Sequence, residues 1–247
     1  MGAPRGIIYS LPAIRRVPDM TVNVGVLLSG CGFLDGSEIS EAVLTLLALD
    51  RRGATAICMA PRGPQASVVD HARGEAVTGA ARDVLVEAAR IARGHIRDLA
   101  EVKAAQLDAL VMPGGFGAAK NLCDFASKGA SATPHPEAAR LLREMHAAGK
   151  PIGAICIAPA LVASVLGRSA APLLTVGEDG EAAAAITKMG AKHRPCPVTG
   201  CVVDEKNRIV TTPAYMSDAR IADVATGIDE LVAAMLLMLP TAARGAR

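Results

Sequence analysis

Tryptophan is absent from this 247-residue chain, and aromatic residues together make up only 2% of it. With so little aromatic bulk, the core must be filled by Ala, Val, Leu, Ile and Met, and a hydrophobic share of 51% supplies them. An excess of charge of one sign is lacking too. The formal net charge is +2 and no Lys/Arg cluster stands out, which sets aside nucleic-acid binding through a concentrated basic patch. No apolar run is long enough for a membrane span: residues 228–239 are apolar but short, and they carry Asp229 and Glu230. Cys31, Cys58, Cys123, Cys156, Cys196 and Cys201 make no C-x-x-C pair, and Cys196 and Cys201 have no second pair to complete a zinc site. His71, His95, His135, His146 and His193 make neither H-x-x-x-H nor H-E-x-x-H, so no metal site is expected. Neither G-x-x-x-x-G-K-[ST] nor G-x-G-x-x-G occurs, and no nucleotide cofactor is expected. Without a hydrophobic signal sequence in front, reduced thiols and a cytoplasmic protein are the expectation.

Apolar segments of two kinds alternate through the rest of the chain. Residues 1–19 contain Arg5, Arg15 and Arg16 and no acid before Asp19. They are read as an N-terminal extension without stable structure, with a transit peptide as the alternative. Strands are expected over 22–29, 55–60, 107–112, 151–155 and 173–176, with a hairpin over 202–204 and 208–212. Helices are expected over 37–52, 82–93, 136–148, 158–166, 181–189 and 217–239. Apolar strands that do not alternate belong to a parallel sheet covered on both faces. With helices between them they give a doubly wound α/β sandwich, here one domain over 20–240. Working loops in such sheets lie at the carboxyl ends of strands, which singles out 29–41, 113–121 and 153–159.

The sharpest of these is Pro151-Ile-Gly-Ala-Ile-Cys-Ile-Ala-Pro159. A strand ends, one reactive side chain sits in the turn, and a helix opened by proline follows at once, the pattern of a nucleophile elbow. The positive end of that helix is expected to favour a thiolate at Cys156. The N–H of Ile157 faces the same space and can receive an oxyanion. The bland alternative is a buried cysteine packing as a small apolar residue. Pro113-Gly-Gly-Phe-Gly117 is a second strand-end turn, whose Gly114 and Gly115 offer further backbone donors. Lys120 and Asn121 are expected to open the next helix, as solvated or capping residues or as part of a pocket lining. Glu38 and Glu41 both fall in the first turn of the helix over 37–52, where they also offset the helix dipole, and their spacing does not choose between them.

The blocks Ser29-Gly-Cys-Gly32, Asp35-Gly-Ser-Glu-Ile-Ser-Glu-Ala-Val43, Pro113-Gly-Gly-Phe-Gly-Ala-Ala-Lys-Asn-Leu122, Cys156-Ile-Ala-Pro159 and Val210-Thr-Thr-Pro-Ala-Tyr-Met216 occur in this order. Together they resemble the ElbB-type glyoxalases, in the PfpI-like branch of the class I glutamine amidotransferase-like superfamily. The resemblance implies a flavodoxin-like sandwich, a homodimer, Cys156 as nucleophile, Glu41 rather than Glu38 beside it, and oxyanion donors at Gly115 and Ile157. It also implies conversion of glyoxal, with methylglyoxal as the neighbouring substrate, to the 2-hydroxy acid without glutathione, metal or cofactor. A two-carbon substrate calls for a tight pocket. The residue after Cys156 is Ile157, whereas proteases and many amidotransferases of the superfamily keep a histidine beside or near the thiol, so amide hydrolysis is disfavoured. The alternative from another class is a non-enzymatic redox sensor or chaperone-like protein using the same oxidisable cysteine.

Overall fold

The computed structural model describes residues 22–240, so the reading of 1–19 lies outside the described residues. In chain order the elements are β1 (Asn23–Leu27), α1 (Ile39–Arg51), β2 (Thr55–Ala60), β3 (Val69–Asp70), β4 (Glu75–Ala76), α2 (Val84–Ile91), β5 (Arg97–Asp98) and β6 (Ala109–Met112). There follow α3 (Phe116–Lys120), α4 (Phe125–Lys128), α5 (Pro136–Ala147), β7 (Ile152–Ile155), α6 (Pro159–Ala170), β8 (Leu173–Leu174), α7 (Gly180–Lys188), β9 (Lys192–His193), β10 (Val202–Asp204), β11 (Ile209–Thr212) and α8 (Ile221–Leu237).

Seven strands form one sheet in the order β10-β11-β7-β6-β1-β2-β5, parallel except for the antiparallel β10–β11 hairpin at one edge. Strand pleating sends alternate side chains to opposite faces. In β6, Leu110 and Met112 join a core with residues of α5, α6 and α7, while Ala109 and Val111 join one with residues of α1, α2 and α8. Both faces are therefore covered, which is why these strands are unbroken apolar runs. The protein is a doubly wound α/β sandwich of the flavodoxin-like kind. Arg52, capping α1, reaches Asp229 of α8 through two contacts of 2.6 and 2.7 Å, tying two helices of one layer.

Several expectations need correction. The strand expected over 173–176 shrinks to β8, which pairs with β9 outside the main sheet. Lys120 and Asn121 close a short helix rather than opening one. The edge strand β5 and the β3–β4 hairpin carry no apolar run and were not anticipated. The chain turns back between β2 and β6, which flank β1 on opposite sides, so the loops after β1 and β6 face each other at the carboxyl edge. That crevice is where open α/β sheets bind ligands.

Candidate active site

Cys156 follows β7 directly, and three residues later Pro159 opens α6. Its φ of 60° is the left-handed conformation that a non-glycine residue avoids, and the fold sustains it from both sides. The Cys156 N–H donates to Thr212 O at 2.9 Å, and Ala158 N–H closes the turn on Ile155 O at 3.0 Å. The residue is only 8% exposed. The Gly115 and Ile157 N–H groups both reach its sulfur.

Glu41 is the carboxyl beside it. The residue is wholly buried, and its side chain is hydrogen-bonded to Cys156. Oε2 accepts the Gly114 N–H at 2.8 Å, and Oε1 accepts the Tyr215 N–H at 3.4 Å. Glu38 sits one position ahead of α1 and folds back to accept the Glu41 N–H at 2.6 Å, so it caps the helix and lines the cavity mouth. The loop after β1 and the turn after β6 meet backbone to backbone. Glu38 N–H donates to Gly114 O at 3.0 Å, and Gly117 N–H to Gly36 O at 2.8 Å. A Cβ on Gly114 would lie 2.5 Å from Cys156 Cβ and 2.9 Å from Glu41 Oε2, so only glycine lets carboxyl and thiol meet there. The Gly114 N–H thus serves the carboxyl and is not free for an oxyanion, whereas those of Gly115 and Ile157 face the thiol. Asn121 and Lys120 hold the loop after β1. Asn121 Nδ2 donates to Ser29 O (2.8 Å) and Asp35 O (2.9 Å), and Lys120 Nζ to Leu34 O (3.0 Å).

Burial pushes the Glu41 carboxyl up from an ordinary 4.5 to about 8, with the charge of Glu38 adding to the rise. Burial and the Glu41 charge push the Cys156 thiol upward as well, against the pull of the Gly115 and Ile157 N–H groups. The expectation of a thiolate favoured by the helix end is therefore corrected. Desolvation in the buried site outweighs the helix end and raises both groups.

A cavity of about 510 Å³ opens over the sulfur. Its wall uses all three phenylalanines of the chain, Phe33, Phe116 and Phe125, together with Tyr215. Among the described residues its charged lining is Glu38, Asp179 and Glu181, with no Lys, Arg or His. The space is of ordinary small-molecule size, roomier than a two-carbon substrate needs. Among the described residues no group of three or more His, Cys, Asp and Glu is placed to hold a metal ion. Sequence reasoning gave no part to Thr212 or Tyr215, which act through backbone atoms. Their position at and just past the carboxyl end of β11 was the available signal.

The model of the DJ-1/PfpI family matches residues 32–221. The chain is 45% identical over 229 residues to the Homo sapiens glutamine amidotransferase-like class 1 domain-containing protein 3, mitochondrial, covering 89% of this chain and 84% of the relative. It is 44% identical over 228 residues to the Rattus norvegicus ES1 protein homolog, mitochondrial, covering 89% and 85%. A crystal structure of an isoprenoid biosynthesis protein with amidotransferase-like domain from Ehrlichia chaffeensis superposes with a TM-score of 0.83 at 42% identity, over 88% of this chain and all of that one. The human and rat relatives are named as mitochondrial proteins, which overturns the cytoplasmic expectation.

Proposed function

Because the chain belongs to the DJ-1/PfpI family, we propose that its buried thiol–carboxyl pair makes it a glutathione-independent glyoxalase of the ElbB type. The observation that carries this reading is Glu41 hydrogen-bonded to Cys156 while the Gly115 and Ile157 N–H groups face the same sulfur. The cavity supports it in a second way. With three carboxylates and no cation in its lining, it suits a neutral aldehyde and disfavours retention of an anionic acid.

The Cys156 sulfur attacks one aldehyde carbon of glyoxal. A C–S bond forms, the carbonyl π pair moves to oxygen, and the Gly115 and Ile157 N–H groups receive the developing charge. Glu41 gives its proton to that oxygen and takes the thiol proton in exchange, leaving a hemithioacetal and the carboxyl restored. With a pKa near 8, the carboxyl passes readily between its two forms, as a group serving as both acid and base must. Once it has released its proton to solvent, the carboxylate takes the hemithioacetal C–H proton and passes it to the second aldehyde oxygen, giving an enediol. It then moves the hydroxyl proton on the sulfur-bearing carbon to the neighbouring carbon. The product is a glycoloyl thioester, and water cleaves it to glycolate and the free thiol. A hydride shift between the two carbons would reach the same thioester, but the carboxyl against the sulfur favours the proton route. Methylglyoxal enters the same sequence and yields lactate. Among the described residues no histidine lines the cavity, so the base that amide hydrolysis calls for is missing there.

A homodimer is part of this proposal. Ile39, Val43 and Leu47 recur at four-residue spacing on the outer side of α1, each at least 40% exposed. Phe33 and Phe116, about half exposed at the cavity mouth, continue the patch, so a second copy would cover both. A mitochondrial compartment accords with the named relatives and with the arginines and late first acid of residues 1–19. The test is purified protein with glyoxal, free of glutathione and added metal. Glycolate is expected from the wild type and none from Cys156→Ser, whereas equal glycolate from both would remove the assignment.

A further inference from the structure

Cys196 and Cys201 flank a tight turn on the far side of β11 from the thiol described above. Gly200 N–H donates to Pro197 O at 3.0 Å, closing a four-residue turn, so the two cysteines are the residues immediately outside it. The turn keeps the two cysteines in one short loop, near enough for the charge of Cys196 to act on Cys201. The Cys196 sulfur points inward: it lies 3.5 Å from Pro197 O and 3.3 Å from where a Cβ on Gly200 would stand. The turn is anchored at two further points. Thr212 Oγ1 donates to Gly200 O at 2.7 Å, and Val198 O packs so tightly on Gly227 of α8 that a Cβ there would come within 2.1 Å of it. Both sulfurs are free, with Cys201 half-buried and Cys196 at the rim of burial.

We propose that Cys196 and Cys201 are a dithiol modification site that closes to an intramolecular disulfide by exchange with a small-molecule disulfide such as oxidised glutathione. One thiolate attacks a sulfur of the reagent, whose S–S bond breaks to release the first reduced thiol and leave a mixed disulfide on the protein. The second thiolate attacks the protein-side sulfur, the Cys196–Cys201 bond forms, and the second small thiol leaves. The protein gives up two electrons and two protons, and the reagent takes both. Burial holds the Cys201 thiol up at about 11 and Cys196 above its ordinary value. Such thiols exchange slowly, but as poor leaving groups they make a disulfide that resists re-opening. The bond fixes the turn whose Gly200 carbonyl holds the Thr212 hydroxyl, and the Thr212 carbonyl in turn holds the Cys156 N–H. The oxidation state of the pair is thereby tied to the strand end beneath the nucleophile.

The experiment incubates the full chain with oxidised glutathione at pH 8, alkylates the remaining thiols and maps tryptic peptides by mass spectrometry. The peptide 193–206 carries both cysteines, and the proposal predicts that it loses two hydrogens, escapes alkylation and regains both sites after reduction. Cys196→Ser should instead leave a stable glutathione adduct on Cys201, and Cys156→Ser should leave the bond unaffected. The oxidised protein should melt about 5 °C higher, the gain expected from closing a short loop. Two alkylated cysteines in that peptide, a separate glutathione on each, or a cross-link from either to Cys156 would overturn the proposal.

Discussion

Replacing Glu41 by Gln should make the protein more stable and inactive at once, with a stability gain that depends on pH. The carboxyl is wholly buried and its pKa stands near 8, against an ordinary 4.5 for the unfolded chain. Below pH 4.5 both states hold the proton, so the group is neutral to stability there. Between 4.5 and 8 the unfolded chain has released the proton and the folded one still holds it. Folding is therefore progressively disfavoured as pH rises, and the loss levels off above 8. The interval corresponds to at most about 5 kcal/mol. Gln keeps an oxygen for the Gly114 N–H and cannot ionise. Urea unfolding of both proteins from pH 5 to pH 9 should show near-equal stability at pH 5, and an advantage to the variant of about 3–5 kcal/mol at pH 9. Parallel stability curves would refute the buried, proton-holding carboxyl. Turnover persisting in the variant would refute its part in the chemistry.

Gly114→Ala should reduce turnover at least about tenfold and lower stability by about 1–3 kcal/mol, since the new methyl collides with Cys156 Cβ, Ile155 O and Glu41 Oε2. Turnover and urea unfolding check the two halves. Run in D₂O, the reaction should place deuterium on the hydroxymethyl carbon of glycolate, read by proton NMR; complete retention of the original hydrogen would instead mark a hydride shift. Val43→Asp, on the outer stripe of α1, should shift the proposed dimer to monomer in analytical ultracentrifugation while leaving the monomer folded.

Much of the fold was legible because its strands are buried on both faces. Thr55–Ala60 and the Val202–Asp204 strand of the hairpin fall where their apolar patterns put them. Arg97–Asp98 could not be read the same way: it is a polar two-residue edge strand, defined only by its pairing with Met59 and Ala60. Within the site, the elbow at Cys156 shows in sequence because a small-residue strand running into proline leaves few other geometries. The choice between Glu38 and Glu41 does not. It turns on Glu38 lying ahead of the helix and bending back to cap it, which leaves Glu41 to reach Gly114 and the thiol. Thr212 and Tyr215 were missed for a different reason. They contribute a carbonyl and an N–H, which any residue type would carry. The acid rim is also tertiary, since Asp179 caps α7 and Glu181 lies in its first turn, brought over the cavity by packing on α6.

The most direct test of the account is to quench the reaction with glyoxal in acid during turnover and weigh the peptide that carries Cys156. The account predicts a glycoloyl group on that sulfur, released as a hydroxamate by hydroxylamine and absent when glyoxal is omitted. Steady glycolate production with Cys156 unmodified throughout, or with the acyl group on another cysteine, would contradict it.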